Sequence, residues 1–350
     1  MLMAAANSMN SQHPRAPGVD VDYSLMASEL LRALRGAKRS RPGFSRYLGY
    51  QSNIAQRWES GLAWPTAVSF FSICERLHID VRAALGRFLR REPAWLKSAV
   101  PDYVPELLRE LRGRTKISSI VQRTPYHRSS VSRWLKGTTQ PKLPELLCLV
   151  DALCGRGLDF VASFVDPGAL PSSARRWQEL VLSRELAYVH PMSHAVLRAL
   201  ELEEYKQGGY RDPDFLVRSL SLSREQAELA LSLLVQSGQV KKTRYGFRAR
   251  PSSVVDTGSD VQRARALKLT WAELALERLR MGAPGHCGYS LFAISRADLR
   301  RMHEIQLSYV REMQALISAS ATSECVGLYC SQLLDLGVAE HNALKSRPSA

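Results

Sequence analysis

Residues 56–65 read QRWESGLAWP and residues 132–141 read SRWLKGTTQP. In each stretch Arg-Trp is followed by Gly three residues after the tryptophan and by Pro four residues after that glycine, at an offset of 76. A second similarity lies upstream, where residues 28–36 read SELLRALRG and residues 105–113 read PELLRELRG at an offset of 77. A single-residue indel between the first two helices accounts for the two offsets. Matches that recur in this way predict a duplicated module of about 60–75 residues.

The first copy carries helical signals on both sides of its tryptophan. Leu30 and Leu34 lie one turn apart and predict the buried face of a first helix. Ser40 predicts the N-cap of a second helix. Gly49 predicts a turn that needs a residue without a Cβ, and residues 52–60 predict a short third helix. Two further helices follow in the same copy.

The positive charge of the chain is concentrated on the half that holds the repeat. The 350 residues have a formal net charge of +15. Residues 25–165 contain 23 Lys and Arg against 11 Asp and Glu, whereas residues 166–350 contain 24 against 20. This asymmetry favours a polyanionic partner, with a basic but merely soluble surface as the alternative.

Two short helices around a turn, the second ending in Trp-x-x-Gly, are typical of the helix-turn-helix motif. The stretch FSRYLGYQSNIAQRWESG at 44–61 resembles the Cro/phage-repressor-like (XRE-type) family of DNA-binding domains. The stretch IVQRTPYHRSSVSRWLKG at 120–137 resembles it in the recognition helix but has Pro125 where the first copy has Gly49. Because proline cannot take a positive φ, the second turn is expected to have another geometry.

The resemblance implies three roles for residues within each copy: packing in the core, reading bases and contacting phosphates. Trp58 and Trp134 are expected to face the core and anchor the recognition helix. Polar residues at the start of that helix and one turn later are expected to read base edges; they are Ser52, Asn53, Gln56, Arg57, Arg128, Ser129, Ser132 and Arg133. Cations near the end of each first helix are expected to contact phosphates; they are Arg35, Lys38, Arg39, Arg41, Arg112, Arg114 and Lys116.

The second half of the chain begins after the linker-like stretch DPGALPSS at 166–173. Helical segments follow, Ser223 predicts a capping box for a longer helix, and the alternation around Tyr245-Gly246 predicts a β-hairpin. This order is that of a winged helix. The helix that would be the recognition helix of this winged helix carries the acidic residues Glu225 and Glu228, which suit a DNA major groove poorly. We therefore favour a scaffold or interaction role for this segment over a third DNA-reading role.

Residues 260–337 predict a small α+β unit. A long helix is followed by a strand near 288–294, a helix capped by Ser295 and a strand near 324–333. Three stretches of this half are FLVRSLSLSREQAELALSLLVQSGQV at 215–240, VVDTGSDVQRARALKLTWAELALERL at 254–279 and YSLFAISRADLRRMHEIQLSYVREMQAL at 289–316. They resemble a paralogous family of bacterial proteins that share a C-terminal domain of unknown function, often paired with an N-terminal helix-turn-helix. No catalytic residue can be transferred from that resemblance.

The predicted fold class is mainly α, with two tandem helix-turn-helix domains, a winged-helix-like segment and a small α+β C-terminal unit. We call residues 23–92 the first unit and residues 102–166 the second unit. The remaining predicted boundaries are a disordered leader at 1–22, the winged-helix-like domain at 174–252, the α+β domain at 260–337 and a tail at 338–350.

The sequence predicts a sequence-specific DNA-binding transcriptional regulator whose C-terminal half serves dimerisation or sensing. The alternative is a protein-interaction adaptor whose helix-turn-helix folds no longer bind DNA. We expect double-stranded DNA as the partner, no membrane, a cytoplasmic location and reduced thiols, and the sequence leaves a homodimer open. No catalytic motif or CxxC pair occurs, and His190 and His194 lack a third ligand at a suitable spacing. We therefore expect no enzyme activity, no metal and no cofactor.

Overall fold

A computed structural model describes residues 21–98, 102–208, 213–250, 255–320 and 322–337. Nearly all of the predicted leader at 1–22 and the whole predicted tail at 338–350 lie outside the described residues. The described chain is mainly helical, with one two-stranded sheet. No helix within these ranges combines the length and the apolarity that a bilayer crossing requires.

The first unit consists of five helices: α1 Tyr23–Arg35, α2 Arg41–Tyr47, α3 Ile54–Glu59, α4 Ala67–Arg76 and α5 Val81–Leu89. Each of these helices has an N-cap residue whose side chain accepts a hydrogen bond from a backbone N–H. The predicted cap Ser40, for example, accepts the Gly43 N–H. Such caps satisfy donors that a helix start leaves unpaired. Gly49 has φ +84°, so the predicted glycine turn between α2 and α3 is confirmed.

The second unit repeats the five helices in the same order: α6 Tyr103–Arg112, α7 Ile117–Gln122, α8 Arg128–Lys136, α9 Leu143–Cys154 and α10 Gly157–Ala162. None of residues 123–127, all described, has a positive φ. The turn before α8 therefore differs from the glycine turn before α3, as Pro125 predicts. Thr124 is buried in this turn, at the position where the first unit has the buried Leu48.

The two units meet at equivalent residues. Thr66 and Lys142, which are 76 residues apart, form an isolated antiparallel bridge. Its two hydrogen bonds are reciprocal: the Ala67 N–H donates to the Pro141 carbonyl oxygen at 2.8 Å, and the Leu143 N–H donates to that of Pro65 at 2.9 Å. A contact in which residue i meets j and j meets i is the mark of a twofold interface. The first and second units are therefore related by a local pseudo-twofold axis through this bridge.

Further contacts follow the same symmetry and give both units one hydrophobic core. Helix α1 packs on α9, and its equivalent α6 packs on α4. Arg87 Nη2 lies 3.5 Å from the carbonyl oxygen of Ser163, the residue equivalent to Arg87. The rings of Phe70 and Phe164 are in edge contact at 5.2 Å. Because the buried apolar side chains of both units form one cluster, the units are expected to unfold together.

Residues 174–249, for which the sequence predicts a winged helix, have a hydrophobic core of their own within the described chain. This segment comprises α11 Ala174–Val189, α12 Met192–Ala199, α13 Glu203–Gly208, α14 Asp214–Leu220, α15 Arg224–Gln236, β1 Val240–Thr243 and β2 Gly246–Ala249. The predicted capping box at Ser223 and the predicted antiparallel hairpin are both confirmed. The hydroxyl of Tyr205, on α13, accepts the Phe247 N–H at 3.1 Å and joins the hairpin to the helices.

The prediction of a small α+β unit at 260–337 is wrong for the described residues. They form two helices, α16 Val261–Arg280 and α17 Arg296–Ala319, and no strand. Residues 288–294 and 324–333 belong to no helix or strand, and Tyr289 is 98% exposed. Alternating apolar residues make a strand only where a neighbouring strand completes the ladder, and neither segment has one.

The two halves of the chain are joined through Arg184 on α11, which is 7% exposed. Its Nη2 donates to both carboxylate oxygens of Asp159, on α10, at 2.6 and 2.7 Å. Its Nε donates to the carbonyl oxygen of Asp256 at 2.9 Å. Asp256 also pairs with Arg90 and Arg156. A buried charge needs such partners, and here they connect the second unit to the segment that leads into α16.

Candidate nucleic-acid interface

Helix α3 is held against the first unit by two buried side chains. Ala55 and Trp58 are 1% and 3% exposed. Because residues three apart lie on one side of a helix, the intervening Gln56 and Arg57 face outward, and both are exposed. Ser45 on α2 is also buried, and its hydroxyl accepts the Ala55 N–H at 3.1 Å. This small residue lets α3 approach α2 closely.

The repeated tryptophans are anchors in both units, as predicted. Trp58 and Trp134 are both buried. Each ring is met edge-on by a tyrosine from the preceding turn: Tyr50 at 5.5 Å and 87° in the first unit, and Tyr126 at 5.1 Å and 84° in the second. Edge-to-face pairs contribute about 0.5–1.5 kcal/mol beyond burial. The tyrosines were not predicted, although their offset of 76 could have identified them.

The N-terminal end of α3 presents a connected polar pair. Asn53 caps the helix, with its Oδ1 accepting the Gln56 N–H at 3.4 Å. Its Nδ2 donates to Gln56 Oε1 at 3.0 Å. Ser52 is exposed beside them, and Asn53 is half-buried. Because Asn53 uses its amide internally, Gln56 keeps its own amide donors for an outside acceptor.

Helix α8 presents a more basic face. It begins at Arg128, and Arg128, Ser129 and Arg133 are exposed. Ser132 is half-buried on the same helix. Val131 and Trp134 lie on the opposite side of α8 and are buried. The structure thus brings all eight predicted base-reading residues to the start and outer faces of two symmetry-related helices.

Two of the predicted phosphate contacts are engaged inside the first unit. Glu59, at the end of α3, is 5% exposed. Arg35 Nε donates to its Oε1 at 2.5 Å, and Arg41 Nε donates to its Oε2 at 2.9 Å. Burial opposes ionisation of Glu59, but the hydrogen bonds and charges of the two arginines outweigh it and lower the pKa of this carboxyl. Arg35 and Arg41 therefore fix the end of α3.

Two further predicted phosphate contacts are also engaged within the chain. Arg112 is half-buried, and its Nε donates to the carbonyl oxygen of Thr115 at 3.1 Å. Arg114 pairs with Glu312 on α17, and both side chains are exposed. Exposed ion pairs contribute little stability and can exchange partners. Arg114 can therefore exchange its carboxylate partner for a phosphate more easily than Arg112 can leave its carbonyl partner.

The other three predicted phosphate contacts, Lys38, Arg39 and Lys116, are exposed. Arg39 lies over the ring of Tyr47 at 5.0 Å from its centroid. Sequence reasoning missed two exposed cations, Arg46 at the end of α2 and Arg123 directly after α7. They are not equivalent in the register of 76 that relates α2 to α7, so the repeat does not identify them.

No group of three or more His, Cys, Asp and Glu side chains within the described ranges is arranged to hold a metal ion. No protein-family model, curated protein or solved structure matches the chain.

Proposed function

We propose that the chain is a sequence-specific DNA-binding transcriptional regulator. In this proposal α2–α3 and α7–α8 are two helix-turn-helix modules, and α3 and α8 enter successive major grooves. The C-terminal half serves dimerisation or sensing. One polypeptide would then do what two subunits of a symmetric repressor do.

The observation that carries the proposal is the reciprocal bridge between Thr66 and Lys142. In this proposal the local twofold axis through that bridge also relates α3 to α8. Duplex DNA has a matching pseudo-twofold symmetry, and helix-turn-helix dimers exploit it by binding two half-sites about one helical turn apart.

The exposed residues on the two helices provide the chemistry for base recognition. Arg57 and Arg133 can each donate two hydrogen bonds to guanine O6 and N7, and Gln56 can pair with adenine. At positions where α3 has Ser52 and Gln56, α8 has Arg128 and Ser132. The two half-sites are therefore expected to differ in sequence.

Phosphate contacts are assigned in this proposal to the exposed cations Lys38, Arg39 and Lys116. Arg35 and Arg41 act indirectly by holding Glu59 and with it the end of α3. The phosphate contacts of these exposed cations contribute binding affinity that falls as the salt concentration rises, and they do not discriminate between base pairs.

The experiment is in vitro selection of the purified chain on random duplexes, followed by competition assays with single variants. Arg57→Ala is expected to lose about 1–3 kcal/mol of discrimination at one base pair of one half-site. Arg133→Ala is expected to do the same in the other half-site.

Lys38→Ala is the matched control, because it should weaken binding to all duplexes alike and reduce the salt dependence by about one charge. Absence of any sequence preference at moderate ionic strength would overturn the proposal in favour of the adaptor alternative. Equal effects of Arg57→Ala on every base pair would show that its assigned role is wrong.

A further inference from the structure

The C-terminal helices expose an amount of apolar surface that a folded chain normally covers. Helix α17 is 24 residues long, and none of its described side chains is buried. After Leu267 no described apolar side chain of the chain is buried. A surface helix usually buries one apolar stripe, and large exposed apolar patches mark interaction sites. The exposed apolar surface of α17 therefore indicates an interaction site.

One face of α17 carries Ile305 and Tyr309 at its centre, charged residues on either side and Leu316 at its C-terminal end. Tyr309 also meets Tyr329 of the same chain edge-on, at 6.0 Å between ring centroids. The members of this face follow one another at intervals of three or four and so lie along one stripe of the helix. All are exposed; they are Asp298, Arg301, Ile305, Tyr309, Glu312 and Leu316. Ile305 and Leu316 are 61% and 74% exposed. We call this stripe the α17 face.

The central part of the α17 face, from Arg301 to Glu312, is complementary to itself when reversed. Two antiparallel copies centred near residue 307 bring Ile305 of one opposite Tyr309 of the other. The same register brings Arg301 of one opposite Glu312 of the other, and the pairing occurs twice because of the twofold axis. Opposite charges that flank an apolar centre fix the register of such an interface. A sequence of this kind matches a second copy of itself.

The charge of the C-terminal region does not favour nucleic acid or an anionic membrane as the occupant. Residues 260–337 contain nine Lys and Arg against eight Asp and Glu. A polyanion-binding surface would carry a clear excess of cations. We propose that the α17 face is a homodimer interface, on which α17 of a second copy packs antiparallel.

This inference deepens the dimerisation part of the proposed function. A dimer would carry two pairs of recognition helices and so could hold two operators at once. The interface lies on a helix apart from α3 and α8 and does not require DNA. Self-association and DNA binding can therefore fail separately.

The test is sedimentation equilibrium of the full chain without DNA, at several protein concentrations. The wild-type chain is expected to show a concentration-dependent dimer. Arg301→Glu places two carboxylates opposite each other at both ends of the interface, and we expect the dimer dissociation constant to rise about tenfold. Arg300→Glu makes the same change of charge one residue off the face, and it is expected to leave the constant within about twofold.

A mixture of variants gives the sharper result. Glu312→Arg should also weaken the homodimer, since it meets Arg301 of the second copy. Equimolar Arg301→Glu and Glu312→Arg chains should form a heterodimer, because each then offers the opposite charge to the other. Circular dichroism of each variant shows whether its helix content is kept. Because Glu312 pairs with Arg114 of its own chain, Arg114→Ala is measured as a further control that removes only that contact within the chain.

A wild-type chain that stays monomeric at all concentrations would overturn the inference. So would equal dissociation constants for Arg301→Glu and Arg300→Glu, or a mixture that dimerises no better than the single variants. Binding of the wild-type chain and both variants to a selected duplex is measured separately, and loss of dimerisation with retained DNA binding leaves the proposed function intact.

Discussion

Replacing Glu59 by glutamine is expected to destabilise the first unit through the loss of one buried charge. The Glu59 side chain is 1% exposed, and it accepts from Arg35 Nε at 2.5 Å, Arg35 Nη2 at 3.2 Å and Arg41 Nε at 2.9 Å. Hydrogen bonds to a charged group contribute about 1.5–3 kcal/mol each, and removing one partner of a buried ion pair costs about 3–5 kcal/mol.

The expected cost of Glu59→Gln is lower than the sum of these contributions. Arg41 is 45% exposed, so water screens its share. Glutamine also keeps one carbonyl oxygen as an acceptor. We therefore expect the free energy of unfolding to fall by about 2–4 kcal/mol. Urea denaturation followed by circular dichroism measures it, with coincident tryptophan fluorescence as the check on two-state behaviour.

The pH dependence gives this prediction a second readout. The pKa of folded Glu59 lies below its ordinary value of 4.5. The carboxylate therefore stabilises the fold above about pH 4.5, and this contribution is lost as the pH falls through the lowered folded pKa. The difference between wild type and Glu59→Gln should be constant near neutral pH and shrink in acid.

Glu92→Gln is the matched control, because Glu92 is exposed and lies 3.9 Å from Lys97. It is expected to change stability by no more than about 0.5 kcal/mol. Should Glu59→Gln cost no more than this control, or should the difference persist unchanged in acid, the arginine cluster would not fix α3 as argued.

Three further predictions follow from single residues. Gly49→Ala should cost about 1–2 kcal/mol in urea denaturation, since Gly49 has φ +84° and the added Cβ would also approach Arg76 Nη1 to 3.3 Å; a neutral outcome would mean that the turn relaxes. Trp134→Leu should cost about 2–4 kcal/mol, because the ring is 7% exposed and packs edge-on against its tyrosine, and retention of full stability would contradict the anchor role. Burial raises the pKa of the Cys148 thiol to about 12, whereas Cys287 is exposed; at pH 8 a thiol reagent should modify Cys287 in the folded chain and Cys148 only after unfolding, as peptide mass mapping will show.

Local features of the fold could be predicted because their signals are local. A serine followed by a helical pattern predicted the caps Ser40 and Ser223, and the recurring Arg-Trp predicted two buried tryptophans. Gly49 and Pro125 predicted that the two turns would differ. In each case the chemistry of a few neighbouring residues decides the backbone conformation.

Features that depend on contacts distant in sequence could not be predicted. The repeat established which residues are equivalent, but nothing in the sequence showed that Thr66 would pair with its own equivalent, Lys142. Basic residues near the end of a first helix predict phosphate contacts, but the sequence does not show that Glu59 is buried beside Arg35 and Arg41. The alternation at 288–294 predicted a strand, but a strand also needs a neighbour that the described chain does not supply.

Hydroxyl-radical footprinting of a selected duplex, bound at one chain per duplex, tests the central claim most directly. We expect protection of the sugar-phosphate backbone that flanks two successive major grooves on one face of the DNA, about 10 base pairs apart, with different sequences in the two half-sites. Protection of a single groove, or two identical half-sites that require two chains, would contradict the pairing of α3 and α8 within one polypeptide.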